Sequence, residues 1–375
     1  MPSPRPKATL LVARPDDGGS ASPYALSARV DGGELLRIRP GVYLEPHAWI
    51  RSPPWERPLI AAAAQALSRP ETIFCRETAL SLHGVSLLHP EDFVHIRVSS
   101  NASTGRRAPR AMTGRASAQR LQQQCRLPDG TTLNAQRALR NVPTRAFQFP
   151  QRYRVALKKG LEPSASRDYR AALVDVELPE LQEVSVPGLR LRTEPVELAA
   201  MDTVHRLNFP AAVSVLDGLR GGRHRAGTEL VEVGLLAWGE TLPSRRARLR
   251  TERAWEFSDG RSANPGESWS RVLIDDLGFE PPDLQVKLIT PDGALYSDFG
   301  WETPGVVGEF DGNQKYLRAE QYGMSPQQTV LNEKRREDGI RRLGYDVARW
   351  NWQTLQNPRQ LEAILREKGV PRRRL

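Results

Sequence analysis

The pattern of hydrophobic and polar positions predicts a β-hairpin near the C-terminal end of the chain. Residues 296–302 and 305–311 alternate in polarity, and the threonine-proline pair between them is typical of a turn. A two-residue loop at that pair places Asp298 directly opposite Glu309, on the same face of the hairpin. The other face is apolar, and we expect it to pack on the core. It carries Phe299, Trp301, Val306 and Phe310.

The segments on either side predict a larger α/β unit around this hairpin. Residues 264–277 have helical spacing behind Asn264, a good N-cap residue, and residues 284–289 predict a strand. After the hairpin, residues 325–343 predict a second helix and residues 345–352 a final strand. The predicted order is therefore helix, three strands, helix, strand.

The acidic face of the hairpin suggests a metal site. Two carboxylates held opposite one another repel, and a cation between Asp298 and Glu309 removes that repulsion. Asp311 lies on the same face by the period of two residues. A site made only of carboxylate oxygens suits Mg2+ or Mn2+. The alternative is a solvated acidic face that holds no metal.

The order of these acidic residues is similar to that of a known nuclease superfamily. Glu267 in the first helix, Asp298 in the second strand and Glu309 in the third resemble the motif of the PD-(D/E)XK nucleases. The match is closer to the branch that looks like very short patch repair endonucleases. In that branch a strand ends in E-x-D-G and a later strand carries G-[WY]-x-V-x-R, as residues 309–312 and 344–349 do here.

This resemblance covers residues 264–368, and it implies a restriction-endonuclease-like fold and a Mg2+- or Mn2+-dependent DNA endonuclease. The residues that it implies are Asp298 and Glu309 as metal ligands, Glu267 as a further catalytic residue, and Arg349 as a DNA contact. Asp311, by its place on the same face, is either a further metal ligand or a residue that bonds the loop backbone at Gly312.

The sequence departs from the superfamily at one position. The usual E-x-K places a lysine where this chain has Asp311. Either Lys315 or Lys334 supplies the missing cation, or the site is inactive. Glu267 also has a purely structural interpretation, because it follows Asn264 by three residues and fits the glutamate of a capping box.

A second informative region lies near the N-terminus. Residues 22–33 predict a short helix, and residues 35–44 predict a hairpin that turns at a proline-glycine pair. Arg37 and Arg39 alternate to one side of that hairpin. A helix followed by a basic hairpin is typical of a winged helix, in which the wing arginines contact the DNA backbone. The alternative is an ordinary hairpin with a solvated basic face.

Parts of this region resemble the antitoxin domain of the AbiEi family, a winged-helix repressor of bacterial abortive-infection systems. Residues 1–19 depart from it, since they carry proline, glycine and aspartate where the first helices of that family should be. The resemblance implies a partner toxin and binding to double-stranded DNA. The segments that carry it are residues 33–43, 77–85, 191–202 and 209–219.

Together these patterns predict an α+β protein in three parts. Residues 1–98 form the winged-helix-like module with its helical extension, residues 99–260 form a basic loop and a mainly helical middle region, and residues 261–375 form the nuclease-like domain. Within the middle part, residues 99–120 lack periodicity and predict a mobile loop.

Composition adds little to this picture. The chain has 375 residues and a net charge of +10, which favours binding to nucleic acid, but lysines make up only seven of its 54 basic residues and biased codon usage also produces such an arginine excess. No apolar run reaches membrane-spanning length and no secretory signal is visible, so we expect a cytoplasmic protein. Its two cysteines have neither metal-ligand nor disulfide spacing.

Two hypotheses follow from the sequence. The first is a metal-dependent DNA endonuclease with an N-terminal DNA-binding module, acting in phage defence or mobile-element maintenance. The second is an AbiEi-like transcriptional regulator or antitoxin whose nuclease fold is catalytically inactive, which the aspartate at position 311 favours.

Overall fold

Helices and strands both occur along the whole chain, which gives the protein an α+β fold. Among the described residues, no helix combines the length and the apolar character needed to cross a membrane. Contacts divide the chain into unit 1 (residues 1–84, 90–203 and 233–244) and unit 2 (residues 85–89, 204–232 and 245–375). The computed structural model describes residues 8–14, 21–114, 118–126, 132–150, 169, 171–178, 181–183, 189–227, 238–239, 242–290, 293–312 and 326–373.

Unit 1 contains the predicted N-terminal helix and hairpin. Helix α1 (Pro23–Asp31) begins at the serine-proline pair, and its two apolar residues Leu26 and Val30 are buried, as their spacing predicts. The hairpin consists of β2 (Leu36–Arg39) and β3 (Val42–Leu44), which pair antiparallel. The helix and the hairpin are therefore confirmed.

The hairpin belongs to a four-stranded sheet whose other members the sequence did not predict. Strand β1 (Ala8–Val12) pairs antiparallel with β3 and parallel with β8 (Leu181–Glu183), so the strand order is β2-β3-β1-β8. Residues 8–12 therefore form a strand in the region where the AbiEi resemblance places helices.

The middle region contains strands as well as helices, and the sequence did not predict these strands. A three-stranded sheet in the order β4-β6-β5 and a two-stranded ladder of β7 with β9 cross it. The predicted mobile loop also contains one of these strands, β5. These strands are short, and several pair with distant segments, so local periodicity gives little sign of them. They are β4 (Val94–Val98), β5 (Gly105–Arg107), β6 (Thr144–Gln148), β7 (Val174–Leu178) and β9 (Leu189–Thr193).

The main core of unit 1 forms between these strands and the alanine-rich helix α3 (Arg57–Ser68). Four consecutive alanines of α3 are fully buried, because their small side chains let the strands approach the helix closely. The other helices are α2 (Pro46–Arg51), α4 (Arg76–Leu82), α5 (Ala118–Gln124), α6 (Ala135–Ala138) and α7 (Val196–Val204), with a 3-10 turn at Asn101–Ser103.

The predicted domain boundaries at residues 98 and 260 do not match the two units. Residues 99–203 belong with the N-terminal part because their strands complete its sheets. Residues 245–260 belong with the C-terminal part because α8 (Phe209–Arg220) packs against both α9 (Arg245–Phe257) and α10 (Pro265–Asp276).

Unit 2 contains one four-stranded sheet in the order β10-β11-β12-β13. The first three strands are antiparallel, and β13 runs parallel to β12. The predicted order of helix, three strands, helix and strand is confirmed. The elements are α10, then β10 (Asp283–Thr290), β11 (Gly293–Trp301), β12 (Val306–Asp311), α11 (Pro326–Arg342), β13 (Asp346–Asn351), α12 (Trp352–Gln356) and α13 (Pro358–Glu367).

The register of the β11–β12 hairpin agrees with the prediction. Trp301 pairs with Val306 and Phe299 pairs with Gly308. The turn is longer than predicted, because the ladder stops at Trp301 and residues 302–305 form the connection. Gly305 closes that turn with a φ of 78°, a left-handed conformation that glycine adopts without strain.

Both faces of this sheet are buried. The predicted apolar side chains pack on one face together with Ile274 of α10. On the opposite face, Val307 and Leu288 pack against Ile340 of α11. The face that the sequence presents as acidic is therefore a second core, and Glu309 on that strand is only 2% exposed. A solvated acidic face at Glu309 is excluded by this burial.

The pairing of β10 with β11 is interrupted opposite Asp298. The ladder pairs Leu284 with Phe299 and then Val286 with Ser297, so the register is kept and one residue of each strand, Gln285 and Asp298, lies between two regular pairs. Gln285 has a φ of 52° at this point, which is rare for a residue with a side chain. The irregularity is therefore in the backbone conformation of Gln285, and the register of the ladder does not change.

Candidate active site

Glu267 is buried at the start of α10 and is already held by three donors. Its Oε2 accepts hydrogen bonds from the Ala263 backbone N–H at 2.7 Å and from Gln285 Nε2 at 3.1 Å, and its Oε1 accepts from Asn264 Nδ2 at 2.5 Å. Asn264 caps the helix through its own side-chain oxygen. Glu267 therefore braces the N-terminus of α10, but it bonds to the backbone N–H of Ala263 and not to that of Asn264, so the predicted capping box is not formed. Glu267 also reaches Gln285 of β10.

Close packing of α10 on the sheet brings Glu267 to this position. A Cβ atom on Gly266 would lie 2.0 Å from Cε1 of Phe310, so only glycine fits between the first turn of α10 and β12. The same contact places the carboxylate of Glu267 within the influence of Asp298.

Glu267 and Asp298 form a like-charged pair. Burial, and secondly the negative charge of Asp298, raise the pKa of Glu267 to about 8. Asp298 is half-buried, and its Oδ2 accepts a hydrogen bond from the Phe310 backbone N–H at 2.8 Å. The structure thus brings together the two residues that the nuclease resemblance places in the first helix and the second strand.

Glu309 has a different set of partners. Its Oε1 lies 2.7 Å from Nη1 of Arg336, and its Oε2 lies 3.5 Å from Nη2 of Arg349. Arg349 also lies 3.4 Å from Glu337. The predicted DNA contact at Arg349 therefore belongs to an ion-pair network inside unit 2, with its side chain 27% exposed.

The acidic residues of unit 2 are not gathered into one tight group. Asp298 was predicted to face Glu309, but the regular ladder ends at Phe299 and the Asp298 side chain bonds to the strand backbone instead. Asp311 is half-buried at the end of β12, beside Asn351. Among the described residues, three potential ligand atoms lie within 4.8 Å of one another only in unit 1.

Of the two predicted lysines, Lys334 is exposed on α11, and Lys315 lies outside the described residues. The cation nearest to Glu309 among the described residues is Arg336, which the expected lysine does not indicate. A signal for it exists in the sequence, because Arg336 precedes the buried Ile340 by four residues and so lies on the same face of α11.

In unit 1 the two wing arginines differ, which corrects the prediction for Arg39. Arg39 is only 6% exposed and bonds to Gln65 at 3.0 Å and to the Val142 carbonyl at 3.0 Å, and burial lowers its pKa to about 10. Arg37 is half-buried. A register shift between the two residues breaks the alternation that placed both on one side.

Unit 1 contains a second cluster, which sequence reasoning missed. His95 is 1% exposed, with Nδ1 lying 3.3 Å from Glu77 and Nε2 lying 3.1 Å from Glu91. Burial lowers the pKa of His95, and its hydrogen bond lowers the pKa of Glu91 to about 2. Arg145 also binds Glu91 at 3.0 Å. The cluster is therefore an ion-pair network whose three residues could also hold a metal.

Comparisons with known proteins do not identify the chain. No family model matches it. It is 24% identical over 174 residues to two proteins of Mycobacterium tuberculosis, the uncharacterized protein MT2308 of strain CDC 1551 / Oshkosh and the uncharacterized protein Rv2248 of strain ATCC 25618 / H37Rv. Each match covers 43% of this chain and 61% of the relative, so the chain spans about three fifths of the length of these relatives.

Proposed function

We propose that the protein is a Mg2+- or Mn2+-dependent DNA endonuclease whose unit 1 binds double-stranded DNA in the cytoplasm. The observation that carries this proposal is the pairing of Glu267, which is buried, with Asp298, which is half-buried. Burial, and secondly the negative charge of Asp298, raise the pKa of Glu267 to about 8. Perturbed carboxylates of this kind are frequent at catalytic sites.

The donor atoms of this region are of the kind that a hard divalent cation prefers, and the carboxylates of the described residues here are not gathered into one tight group. Glu267, Asp298 and Glu309 offer only oxygen, and Oε2 of Glu309 is buried and accepts no hydrogen bond from the described residues. A cation near these oxygens would favour the ionised form of Glu267 and remove the repulsion within the pair. When bound, Mg2+ or Mn2+ would supply Lewis-acid stabilisation of the charge on the scissile phosphate.

The protein's own residues would position this chemistry. Asp298 is fixed by the Phe310 backbone N–H and Glu267 by three donors, so neither carboxylate needs to reorganise when a ligand arrives. Arg336 supplies permanent positive charge beside Glu309. An arginine does not lose its proton in proteins, so it would orient or stabilise phosphate rather than take a proton from water.

Plasmid cleavage tests this proposal. Supercoiled DNA is incubated with the full chain and Mg2+ or Mn2+, and we expect nicking or linearisation that Asp298→Asn and Glu267→Gln abolish. Asp276→Asn, an exposed aspartate at the end of the same helix as Glu267, is the matched control and should cleave like the parent. Failure of the parent to cleave with either ion, or cleavage that persists in Asp298→Asn, would reject the endonuclease.

One observation favours a second function, an AbiEi-like regulator or antitoxin without catalysis. Glu309 is neutralised by Arg336 and faces Arg349 as well, so a cation is not required to balance its charge. In that case the chain should bind its own promoter and repress it without cleaving DNA. It should also counteract the toxicity of a cognate toxin encoded by a neighbouring gene when the two are co-expressed.

A further inference from the structure

Both oxygens of Glu309 face an arginine, but the two contacts differ in strength. The carboxylate is 2% exposed, and Oε1 is bound by Nη1 of Arg336 at 2.7 Å. The Ser297 hydroxyl is 3.5 Å from the same oxygen, which makes it a weak partner. Oε2 lies 3.5 Å from Nη2 of Arg349 but is buried without a hydrogen bond from the described residues, which is unfavourable for a carboxylate oxygen.

Arg336 is held in place by the sheet as well as by Glu309. A second guanidinium nitrogen, Nη2, donates a hydrogen bond to the Tyr296 carbonyl of β11. The planar fork of arginine makes both bonds at once, which the single ammonium of a lysine does less well. The side chain is 29% exposed, so the guanidinium can move toward solvent without disturbing the core.

Arg336 is the third of three consecutive cations on α11, and it alone is directed at the site. Lys334 and Arg335 are exposed, whereas Arg336 is half-buried against Glu309. The position of the side chain on the helix thus decides which of these cations meets the carboxylate.

We propose that Arg336 is the built-in counter-ion of Glu309, which occupies the carboxylate in the metal-free protein and yields it when a divalent cation binds. The inference rests on the proposed function, because it assumes that Glu309 is reached by the cation. Arg336 takes the place of the lysine that is missing at position 311, but it acts as a competitor for the metal as well as a source of positive charge.

Competition has a measurable consequence. Arg336 and a divalent cation would compete for the carboxylate of Glu309, and their positive charges repel each other. Removing Arg336 should therefore tighten metal binding. Removing Arg336 also leaves the negative charge of the buried Glu309 less well neutralised, so it should destabilise the metal-free protein. A residue that merely helped to fold unit 2 would weaken metal binding or leave it unchanged.

The experiment uses the full chain, with Mn2+ as the probe, in isothermal titration calorimetry and thermal unfolding. Arg336→Gln should bind Mn2+ about tenfold more tightly than the parent. Without metal, it should melt roughly 2–4 °C lower. Arg336→Lys keeps the positive charge, so its Mn2+ affinity and melting temperature should lie between those of the parent and Arg336→Gln. It replaces Arg336→Gln in the test if that variant does not fold. Arg335→Gln, next to it and exposed, should match the parent in both measurements.

The outcomes separate this inference from the proposed function. If Arg336→Gln gains affinity for Mn2+ but neither it nor the parent cleaves DNA, the counter-ion role stands and the endonuclease fails. If the parent cleaves and Arg336→Gln and Arg336→Lys bind Mn2+ no more tightly, the endonuclease stands and the counter-ion role is overturned. Absence of Mn2+ binding in the parent and in both variants overturns the two together.

Discussion

Each unit buries carboxylates together with arginines, but only one of these clusters is balanced in charge. In unit 1, Arg97 binds both Glu194, at 2.7 Å, and Asp202, at 2.8 Å. In unit 2, Glu267 lies beside Asp298, a second carboxylate, and bonds only to neutral donors. Balanced burial is what a structural cluster requires, whereas a like-charged pair is unfavourable for folding and therefore points to function.

The cluster of unit 1 satisfies nearly every charge within the protein. Arg76 adds a bond to Asp202 at 2.6 Å, and the Tyr169 hydroxyl donates to Glu194 at 3.0 Å. Burial raises the pKa of Glu194, and the charge of Arg97 opposes this shift. Because Glu194 is fully buried, this network has little room for a ligand and fixes how the strands and α7 pack. The contrast with unit 2 yields four predictions.

The largest effect is expected in unit 1. Arg97→Gln leaves Glu194 buried without its main partner, and we expect a loss of roughly 3–5 kcal/mol in the free energy of unfolding. Hydrogen exchange followed by mass spectrometry reports this loss in peptides of unit 1. Arg192→Gln is the control, because Arg192 is exposed in its pair with Asp175 and should change stability by less than about 1 kcal/mol. A loss below that level in Arg97→Gln would show that the network is not structural.

A divalent cation should stabilise unit 2 and leave unit 1 unchanged. Mn2+ at about 100 times its dissociation constant should add about 2.7 kcal/mol to the free energy of unfolding. We expect increased protection from hydrogen exchange around Asp298 and Glu267, and no increase in Asp298→Asn. Protection that appears around His95 instead would assign the metal to the cluster of Glu77, Glu91 and His95 in unit 1.

The like-charged pair should make the metal-free protein less stable as the pH rises. The pKa of Glu267 is raised above its ordinary value of 4.5 to about 8, so its contribution is fully present below pH 4.5 and is lost as the pH rises through 8. Asp298→Asn removes the neighbouring charge while keeping an oxygen for the Phe310 N–H. It should therefore flatten this dependence and stabilise unit 2 by roughly 1–2 kcal/mol at pH 8.

Urea unfolding of the parent and Asp298→Asn at pH 5 and pH 8, in a chelator, measures this difference. Asp276→Asn is again the control. Equal slopes with pH in all three proteins would show that Glu267 and Asp298 do not interact strongly.

The sequence predicted the framework of the unit 2 site but not its electrostatics. The element order, the β11–β12 register and the cap at Asn264 depend on local patterns, and all three are confirmed. The left-handed backbone conformation of Gln285, which interrupts the β10–β11 pairing opposite Asp298, is not visible in such patterns. Arg336 was missed because its contact with Glu309 depends on how α11 packs on the sheet.

The dependence of these predictions on local sequence patterns also explains the errors in unit 1. Short strands such as β1 and β8 pair across more than 160 positions of sequence, and no local period reveals such a partner. Arg37 and Arg39 alternate in sequence, but a register shift separates their environments. Local rules therefore predicted elements well, and they failed where irregular backbone or distant pairing decided the position of a side chain.

The smallest effect, one on DNA binding, is expected at the wing, the hairpin of β2 and β3. Its two arginines differ in the same way as the clusters above: one is bonded within the protein, and the other can contact a ligand. Arg39 is buried and bonded within unit 1, whereas Arg37 is half-buried. Arg37→Ala should weaken binding to all duplex sequences and reduce the slope of log K against log salt by about 1, as the loss of one phosphate contact does. Arg39→Ala should instead lower stability by roughly 1–3 kcal/mol and leave the slope unchanged. Fluorescence anisotropy with a labelled duplex at several salt concentrations measures both slopes. If Arg37→Ala keeps the parent slope, the wing does not contact DNA, and the DNA-binding role of unit 1 loses its support.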